Sequence, residues 1–161
     1  MYIIIIYVYG CGYMKVFCKL LTVFVFGGFS YGAIEVFSRG YTYISMGLAG
    51  GVCLVIIHLL NDERRNGMKL NTALIISLFF ILSGEFLTGE ILNRTLDMHI
   101  WNYSSSAFNI DGQICLLYSL AWYTLSFVGI VFDEWMRLKI FGEKSYPIFA
   151  SVLKKNSKKA S

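Results

Sequence analysis

Charged residues are scarce in this chain. Only 15% of its 161 residues are charged and 57% are apolar, whereas a soluble domain averages about 25% charged and at most about half apolar residues. The apolar residues are gathered in runs of about 18 or more, the length at which a helix can cross a bilayer. The composition therefore excludes an ordinary soluble domain and predicts an all-α integral membrane protein, with the lipid bilayer as its first partner.

Motifs that mark metal, nucleotide or hydrolase sites are also absent. The four cysteines, Cys11, Cys18, Cys53 and Cys115, form no CxxC pair, so neither a zinc site nor a disulfide framework is predicted. The P-loop pattern GxxxxGKS/T is missing, so an ATP-driven role would need a separate ATPase subunit. HExxH and the nucleophile elbow are missing as well. We therefore expect no metal, no cofactor and no enzymatic activity, although an enzyme acting on a lipid or envelope substrate stays an alternative.

Four apolar runs predict four transmembrane helices. They span residues 16–37, 44–60, 70–92 and 114–132. Together they define a membrane domain over residues 14–142, and a basic cytoplasmic tail follows at 143–161. After the fourth run, apolar residues alternate with charges from 133 to 149, which predicts a helix lying at the membrane interface.

Residues 1–13 are apolar but too few to span a bilayer of about 30 Å. We interpret them as an N-terminal extension or as the product of an upstream start, with Met1 and Met14 as the alternative first residues. A cleaved signal peptide is disfavoured, because no small-x-small cleavage site follows the run.

The distribution of lysine and arginine predicts the orientation, because cytoplasmic loops carry an excess of both. With the N-terminus inside, twelve of the fourteen basic residues are cytoplasmic, and only Arg39 and Arg94 lie outside. We therefore predict that both termini are cytoplasmic and that the loop between helices 3 and 4 faces outward, in the bacterial plasma membrane. Since the basic residues flank apolar runs, the net charge of +4 does not indicate nucleic-acid binding.

Glu85 is the first candidate for a site. It lies about 22 Å along the third helix at 1.5 Å per residue, in the outer half of the membrane. Insertion of this helix is only narrowly favourable, so the carboxylate is expected to face protein or a water-filled cavity. Glu90 is five residues on, about 140° around the helix, which argues against a paired acid–base site. Glu85 is interpreted as a cavity residue, and the alternative is a structural hydrogen bond to a neighbouring helix.

Two other acidic residues, both near the outer ends of their helices, have a basic residue four positions on. The pairs are Glu35 with Arg39 and Glu90 with Arg94, a spacing that places both side chains on one helix face. We predict a structural ion pair for Glu90 and Arg94, and we count Glu35 and Arg39 among the cavity residues. His58, near the inner end of the second span, is interpreted as interfacial, with a ligand or proton-relay role as the lesser alternative.

The loop at residues 93–113 mixes aromatic residues with amides and hydroxyls. An aromatic belt at the membrane surface would explain the aromatics but not the density of polar groups. Non-helical backbone is tolerated at the membrane where protein or water satisfies it. We therefore predict a structured outer loop that acts as a lid, or partly re-entrant cap, over an outer cavity. Its candidate cavity residues are Trp101, Asn102, Tyr103, Ser104, Asn109 and Gln113.

Around this loop the sequence resembles a known family. The segments are YGAIEVFSRGY (31–41), GEFLTGEILNR (84–94), WNYS (101–104) and FNIDGQICLLYSLAW (108–122). They resemble the small membrane proteins grouped as "Putative ABC-transporter type IV", or CmpB-like, over roughly residues 14–142. The resemblance implies a transport permease. By this resemblance, the positions of this chain that match the family's motif residues are Glu35, Arg39, Glu85, Trp101, Tyr103, Ser104, Asn109, Gly112 and Gln113. The family loop reads Trp-Asp-Tyr-Ser, so Asn102 removes an ionisable group here.

Two functions therefore compete. The first is a permease-like transporter component. Four spans are few for a transport path, so we expect a homo-oligomer or a partner such as the ATPase subunit. The second is a non-enzymatic scaffold or accessory protein whose outer loop binds a partner.

Overall fold

The computed structural model describes the backbone of residues 2–144 and 146, and the side chains of residues 14–144 and 146. Most of the predicted basic tail, 143–161, thus lies outside the described residues. The chain divides into two compact units, Met1–Val55 and Ile56–Ser161.

Four long helices make up most of the described chain. They are α1 (Tyr2–Arg39), α2 (Ile44–Arg65), α3 (Leu70–Gly89) and α4 (Leu116–Lys139). Each contains, or with its continuation forms, a segment long and apolar enough to cross a membrane. Large apolar side chains on them are exposed, such as Phe29 at 78% and Leu117 at 70%, as is typical of a surface that contacts lipid. The predicted all-α protein with four membrane-spanning helices is confirmed.

The first helix is longer than predicted. α1 begins at Tyr2, so the backbone of residues 2–13 continues the same helix without a break. The interpretation of residues 1–13 as an extension or an upstream start stays a prediction.

Glycines allow α1 and the first part of α2 to approach closely in the first unit. A methyl group on Gly27 would lie 2.7 Å from the carbonyl oxygen of Gly50, and one on Gly28 would lie 2.8 Å from that of Gly47. Such distances are shorter than van der Waals contact, so only glycine permits this backbone approach, as small residues do at other membrane helix contacts.

In the second unit, α3 and α4 pack against each other. α3 ends in a π-helical turn, Glu90–Thr95. An irregular segment follows, and then two short strands, β1 (Asn109–Ile110) and β2 (Ile114–Cys115), pair antiparallel with Asn109 opposite Cys115. The segment between the two helices is thus held in a defined conformation, which we call the α3–α4 loop (96–115).

The predicted interfacial helix is wrong for residues 133–139, and residues 145 and 147–149 of that prediction lie outside the described residues. α4 continues through this stretch to Lys139, and Asp133, Met136 and Arg137 on it are buried. The reason is that Asp133 and Arg137 form hydrogen bonds with residues at the end of α2. Asp133 and Arg137 therefore face protein and not lipid headgroups, whereas Lys139 is exposed.

Candidate functional site

Glu85 forms a polar contact between α3, α4 and the α3–α4 loop. Its Oε2 accepts a hydrogen bond from Trp122 Nε1 on α4 at 2.8 Å, and its Oε1 accepts one from the Tyr103 hydroxyl of the loop at 3.3 Å. The Tyr103 ring stacks on Tyr118 of α4, with 4.5 Å between the ring centroids. Among the described residues, no basic side chain contacts this carboxylate. Glu85 therefore faces protein and ties the loop to both helices.

A second group of hydrogen bonds fixes the base of the loop at the end of α3. Gln113 Oε1 accepts from Asn93 Nδ2 at 3.1 Å, and Asn93 Oδ1 accepts from the Ile100 backbone N–H at 2.7 Å. Trp101 Nε1 donates to the Gln113 carbonyl oxygen at 3.0 Å. A methyl group on Gly89 would overlap the Gln113 side chain. Glycine at this position thus makes room for the glutamine.

Short polar contacts also shape the loop itself. Asn102 Oδ1 accepts hydrogen bonds from the Ser104 backbone N–H and hydroxyl, and the Tyr103 N–H donates to the Gly112 carbonyl at 2.8 Å. Asn109 Oδ1 accepts from the Gly112 N–H at 3.1 Å. Gly112 has φ +67° and its missing Cβ would lie 2.6 Å from Ser104 Oγ, so glycine is required there. Asn102, Ser104 and Asn109 therefore support the loop backbone.

The loop contains several left-handed residues that are not glycine. Asp97, His99, Phe108 and Asp111 have φ values of 52°, 51°, 53° and 49°. Each such conformation costs about 1–3 kcal/mol and persists only where the surroundings hold it. Strain of this kind clusters at binding and switch sites, which makes the loop the first region in which to look for a site.

Residues of the α3–α4 loop and of the π-helical turn before it surround an open polar pocket of about 290 Å³. Four of its lining residues were predicted from the sequence as cavity residues: Trp101, Asn102, Ser104 and Gln113. Four others were not: Asn93, Arg94, His99 and Asp111. The position of Asn93 and Arg94, directly before the loop, could have indicated those two, whereas His99 and Asp111 reach the pocket through left-handed backbone conformations that the residue types do not reveal. Drug-sized ligands occupy pockets of about 300–1,000 Å³, so this one suits a small solute.

The predicted Glu90–Arg94 ion pair is present, and Glu35 and Arg39, counted as cavity residues, also pair with each other. Arg39 Nη2 lies 2.7 Å from Glu35 Oε1, and Arg94 Nη1 lies 3.1 Å from Glu90 Oε2. Glu35 also accepts a hydrogen bond from Thr42 Oγ1, within the first unit. The role of Glu35 and Arg39 as cavity residues stays a prediction.

A second polar cluster lies between α2 and α4, and we call it the charged cluster (His58, Asn61, Asp133 and Arg137). It was not predicted from the sequence. His58 Nδ1 contacts Asp133 Oδ1, while Asp133 Oδ2 accepts from Asn61 Nδ2 and Arg137 Nε, both at 2.8 Å. All four residues are at most 1% exposed. His58, expected at the membrane interface, is instead buried against α4.

Further charges surround this cluster. Arg137 Nη1 donates to Asp62 at 2.6 Å and to Glu143 at 2.9 Å, and Arg65 Nη2 donates to Glu134 at 2.9 Å. The spacings His58-x-x-Asn61 and Asp133-xxx-Arg137 place each pair on one helix face. That regularity was visible in the sequence, but the partnership between α2 and α4 was not.

Long apolar helices with exposed apolar side chains, joined by a polar loop, define a multi-pass membrane protein. The model of the family described as "Putative ABC-transporter type IV" matches residues 1–153, so the chain belongs to that family. This match includes residues 1–13, which the resemblance noted in the sequence did not cover. No curated protein and no solved structure matches the chain. The family description relates the protein to ABC transporters.

Proposed function

We propose that the protein is a permease-like membrane component of a transport system, and that the pocket of the α3–α4 loop receives the solute. The observation that carries the proposal is the link between this pocket and Glu85. Residues 101, 102 and 104 line the pocket, and Tyr103 between them donates to the carboxylate. Carboxylates within membrane helices tend to mark solute pathways, and the family description agrees with this role.

The pocket is proposed to face outward. The charged cluster and the α2–α3 turn lie among the basic residues that the positive-inside rule assigns to the cytoplasm. The α3–α4 loop is joined to the other end of α4, and its pocket is lined by one arginine, Arg94 of the preceding π-helical turn. Solute would then enter from outside the bacterial plasma membrane.

Glu85 is proposed to hold the loop closed. Its hydrogen bond to Trp122 is 2.8 Å long, whereas the one from Tyr103 is 3.3 Å, close to the limit at which such bonds weaken. The contact to the loop is therefore the weaker of the two. Opening would release Tyr103, while Trp122 of α4 keeps the Glu85 carboxylate in place.

Energy for transport is proposed to come from a separate ATPase subunit, because the chain has no P-loop pattern. We also propose a homo-oligomer, since four helices are few for a transport path. No enzymatic activity and no cofactor belong to this proposal.

The test is purification of the protein from its native cell in mild detergent, with mass spectrometry of what co-purifies. A stoichiometric ATPase subunit is the expected result. A homo-oligomer without any ATPase would contradict an ATP-driven permease. As a control for unspecific capture, the same purification is run with an unrelated four-helix membrane protein carrying the same tag.

An accessory protein that docks a partner on the loop is the second candidate. Phe108 is 82% exposed and Ile110 is 56% exposed, and exposed apolar groups on a structured loop are typical of contact surfaces. The two functions predict different results for the variant Glu85→Gln. A transport role expects near-normal thermal stability and lost function, whereas a scaffold role expects a large loss of stability. Loss of a co-purifying partner in Phe108→Ser would favour the scaffold.

A further inference from the structure

The polar groups of the pocket that the protein leaves unused are mostly hydrogen-bond donors. Gln113 is only 8% exposed, yet its amide nitrogen has no protein partner among the described residues, because only its oxygen is bonded, to Asn93. Asn102 uses its amide oxygen for Ser104 and leaves its nitrogen unused within the same part of the chain. Two amide N–H₂ groups are thus available to a ligand.

The charged groups of the pocket add to these donors. Arg94 contacts Glu90 through Nη1 only, so its Nε and Nη2 are available. His99 contacts Asp97 through Nδ1 at 3.2 Å, which leaves Nε2. A guanidinium with free N–H groups matches the geometry of a carboxylate and can bind it in a bidentate manner.

We propose that this pocket binds a small solute through its carboxylate, with Arg94, Asn102 and Gln113 as the donors. Gln113 gives the strongest support, because Asn93 fixes its side chain through the amide oxygen, while its amide nitrogen has no protein partner within the described residues and the residue lines the pocket. The inference rests on the proposed function, since it names the solute class for the same pocket.

Asp111 sets a further requirement. It lines the pocket, is exposed, and has no ion pair or hydrogen bond to its side chain within the described residues. A carboxylate in this place repels a second negative charge and attracts a positive nitrogen. Among carboxylate solutes, it favours those that also carry an ammonium group, such as free amino acids, over simple organic acids. The volume of about 290 Å³ admits a molecule of this size.

The test is thermal unfolding of the purified full-length protein in detergent with single probes, because a ligand that binds the folded state raises Tm. The probes are L-alanine, propionate, ethylamine, inorganic phosphate and glucose. A rise with both alanine and propionate supports carboxylate binding, and a rise with alanine alone supports the amino-acid form of it. No rise with either, or an equal rise with phosphate or glucose, would overturn the proposal.

Matched variants locate the site. Arg94→Gln is expected to weaken the response to alanine at least tenfold, whereas Lys69→Gln, at an exposed position outside the pocket, should leave it unchanged. Asp111→Asn should reduce the difference between the Tm rise with alanine and the Tm rise with propionate. An unaltered response in Arg94→Gln, with its Tm in the absence of probe also unaltered, would refute the assignment.

The outcome also separates this inference from the function on which it rests. An ATPase that co-purifies with a protein showing no response to carboxylates refutes the solute class alone. A carboxylate response in a protein that purifies without an ATPase keeps the binding site and refutes the ATP-driven permease.

Discussion

The second unit has polar groups near both ends of α4, and the two ends use them differently. In the charged cluster, His58, Asn61, Asp133 and Arg137 are almost fully buried and bonded to one another. In the α3–α4 loop, polar groups surround an open pocket and several donors have no protein partner within the described chain. A saturated, closed network suits a structural role, whereas an open one with unused donors suits binding. This difference suits a stabilising role for the first end, and the second end is the place of the proposed solute site.

The largest effect is expected from Asp133→Ala. It leaves His58, Asn61 and Arg137 buried without their common acceptor, and breaking a buried ion pair costs about 3–5 kcal/mol. Thermal unfolding and size-exclusion chromatography in detergent measure the loss of folded protein. Glu63→Ala, at an exposed position of the same helix end, is the control and should change stability by less than about 0.5 kcal/mol. Equal behaviour of the two variants would show that the charged cluster does not stabilise the fold.

A smaller loss is expected from Gly89→Ala, because the new methyl group displaces the Gln113 side chain. Overpacking of this kind costs about 1–3 kcal/mol, and the pocket should lose its response to L-alanine. Gly84→Ala is the matched control on the same helix, since a methyl group there meets nothing within 4 Å. It should be neutral or stabilising by about 0.5–1 kcal/mol. Similar Tm values for both variants would contradict the described packing of Gln113.

Glu85→Ala should cost about 1–3 kcal/mol, because Trp122 Nε1 and the Tyr103 hydroxyl lose their acceptor. Glu85→Gln keeps one carbonyl oxygen for Trp122, and its amide can donate to the Tyr103 oxygen, so its loss should stay below about 1 kcal/mol. Thermal unfolding of the two variants side by side measures the difference. If Glu85→Gln were as unstable as Glu85→Ala, the charge itself would be structural and the scaffold role would gain support.

The smallest effect on stability is expected at the pocket surface. Asp111→Asn removes a charge that has no protein partner within the described residues, and Asn tolerates a left-handed backbone. Its stability should lie within about 0.5 kcal/mol of that of the parent protein, although the Tm rises with alanine and with propionate should become more similar. A loss as large as that of Gly89→Ala would mean that Asp111 supports the loop and is not free for a ligand.

The fold was predictable where local physics decides it. Four helices follow from the length of the apolar runs, and both i,i+4 ion pairs, of Glu35 with Arg39 and of Glu90 with Arg94, follow from spacing on a helix. The end of α4 was not predictable in this way, because its charges resemble the pattern of an interfacial helix when the segment is considered alone. Their partners lie on α2, with His58 75 positions from Asp133, and such distant pairing has no signature in a single sequence.

The candidate site was predictable in part for the same reason. Trp101, Asn102 and Gln113 stand in dense polar motifs and do line the pocket. His99 and Asp111 reach it through left-handed backbone conformations that residues other than glycine seldom adopt. The residue types do not predict those conformations, so these two lining residues were identified only from the structure.

Labelling of single cysteines tests whether the pocket end faces outward and the charged end faces the cytoplasm. Ser105→Cys on the loop and Asn66→Cys on the α2–α3 turn, both exposed positions, are introduced separately after replacement of the four native cysteines by alanine. Intact cells are treated with a membrane-impermeant maleimide. The account predicts labelling of Ser105→Cys in intact cells, and of Asn66→Cys only after permeabilisation. Labelling of Asn66→Cys in intact cells, with Ser105→Cys protected until permeabilisation, would contradict it.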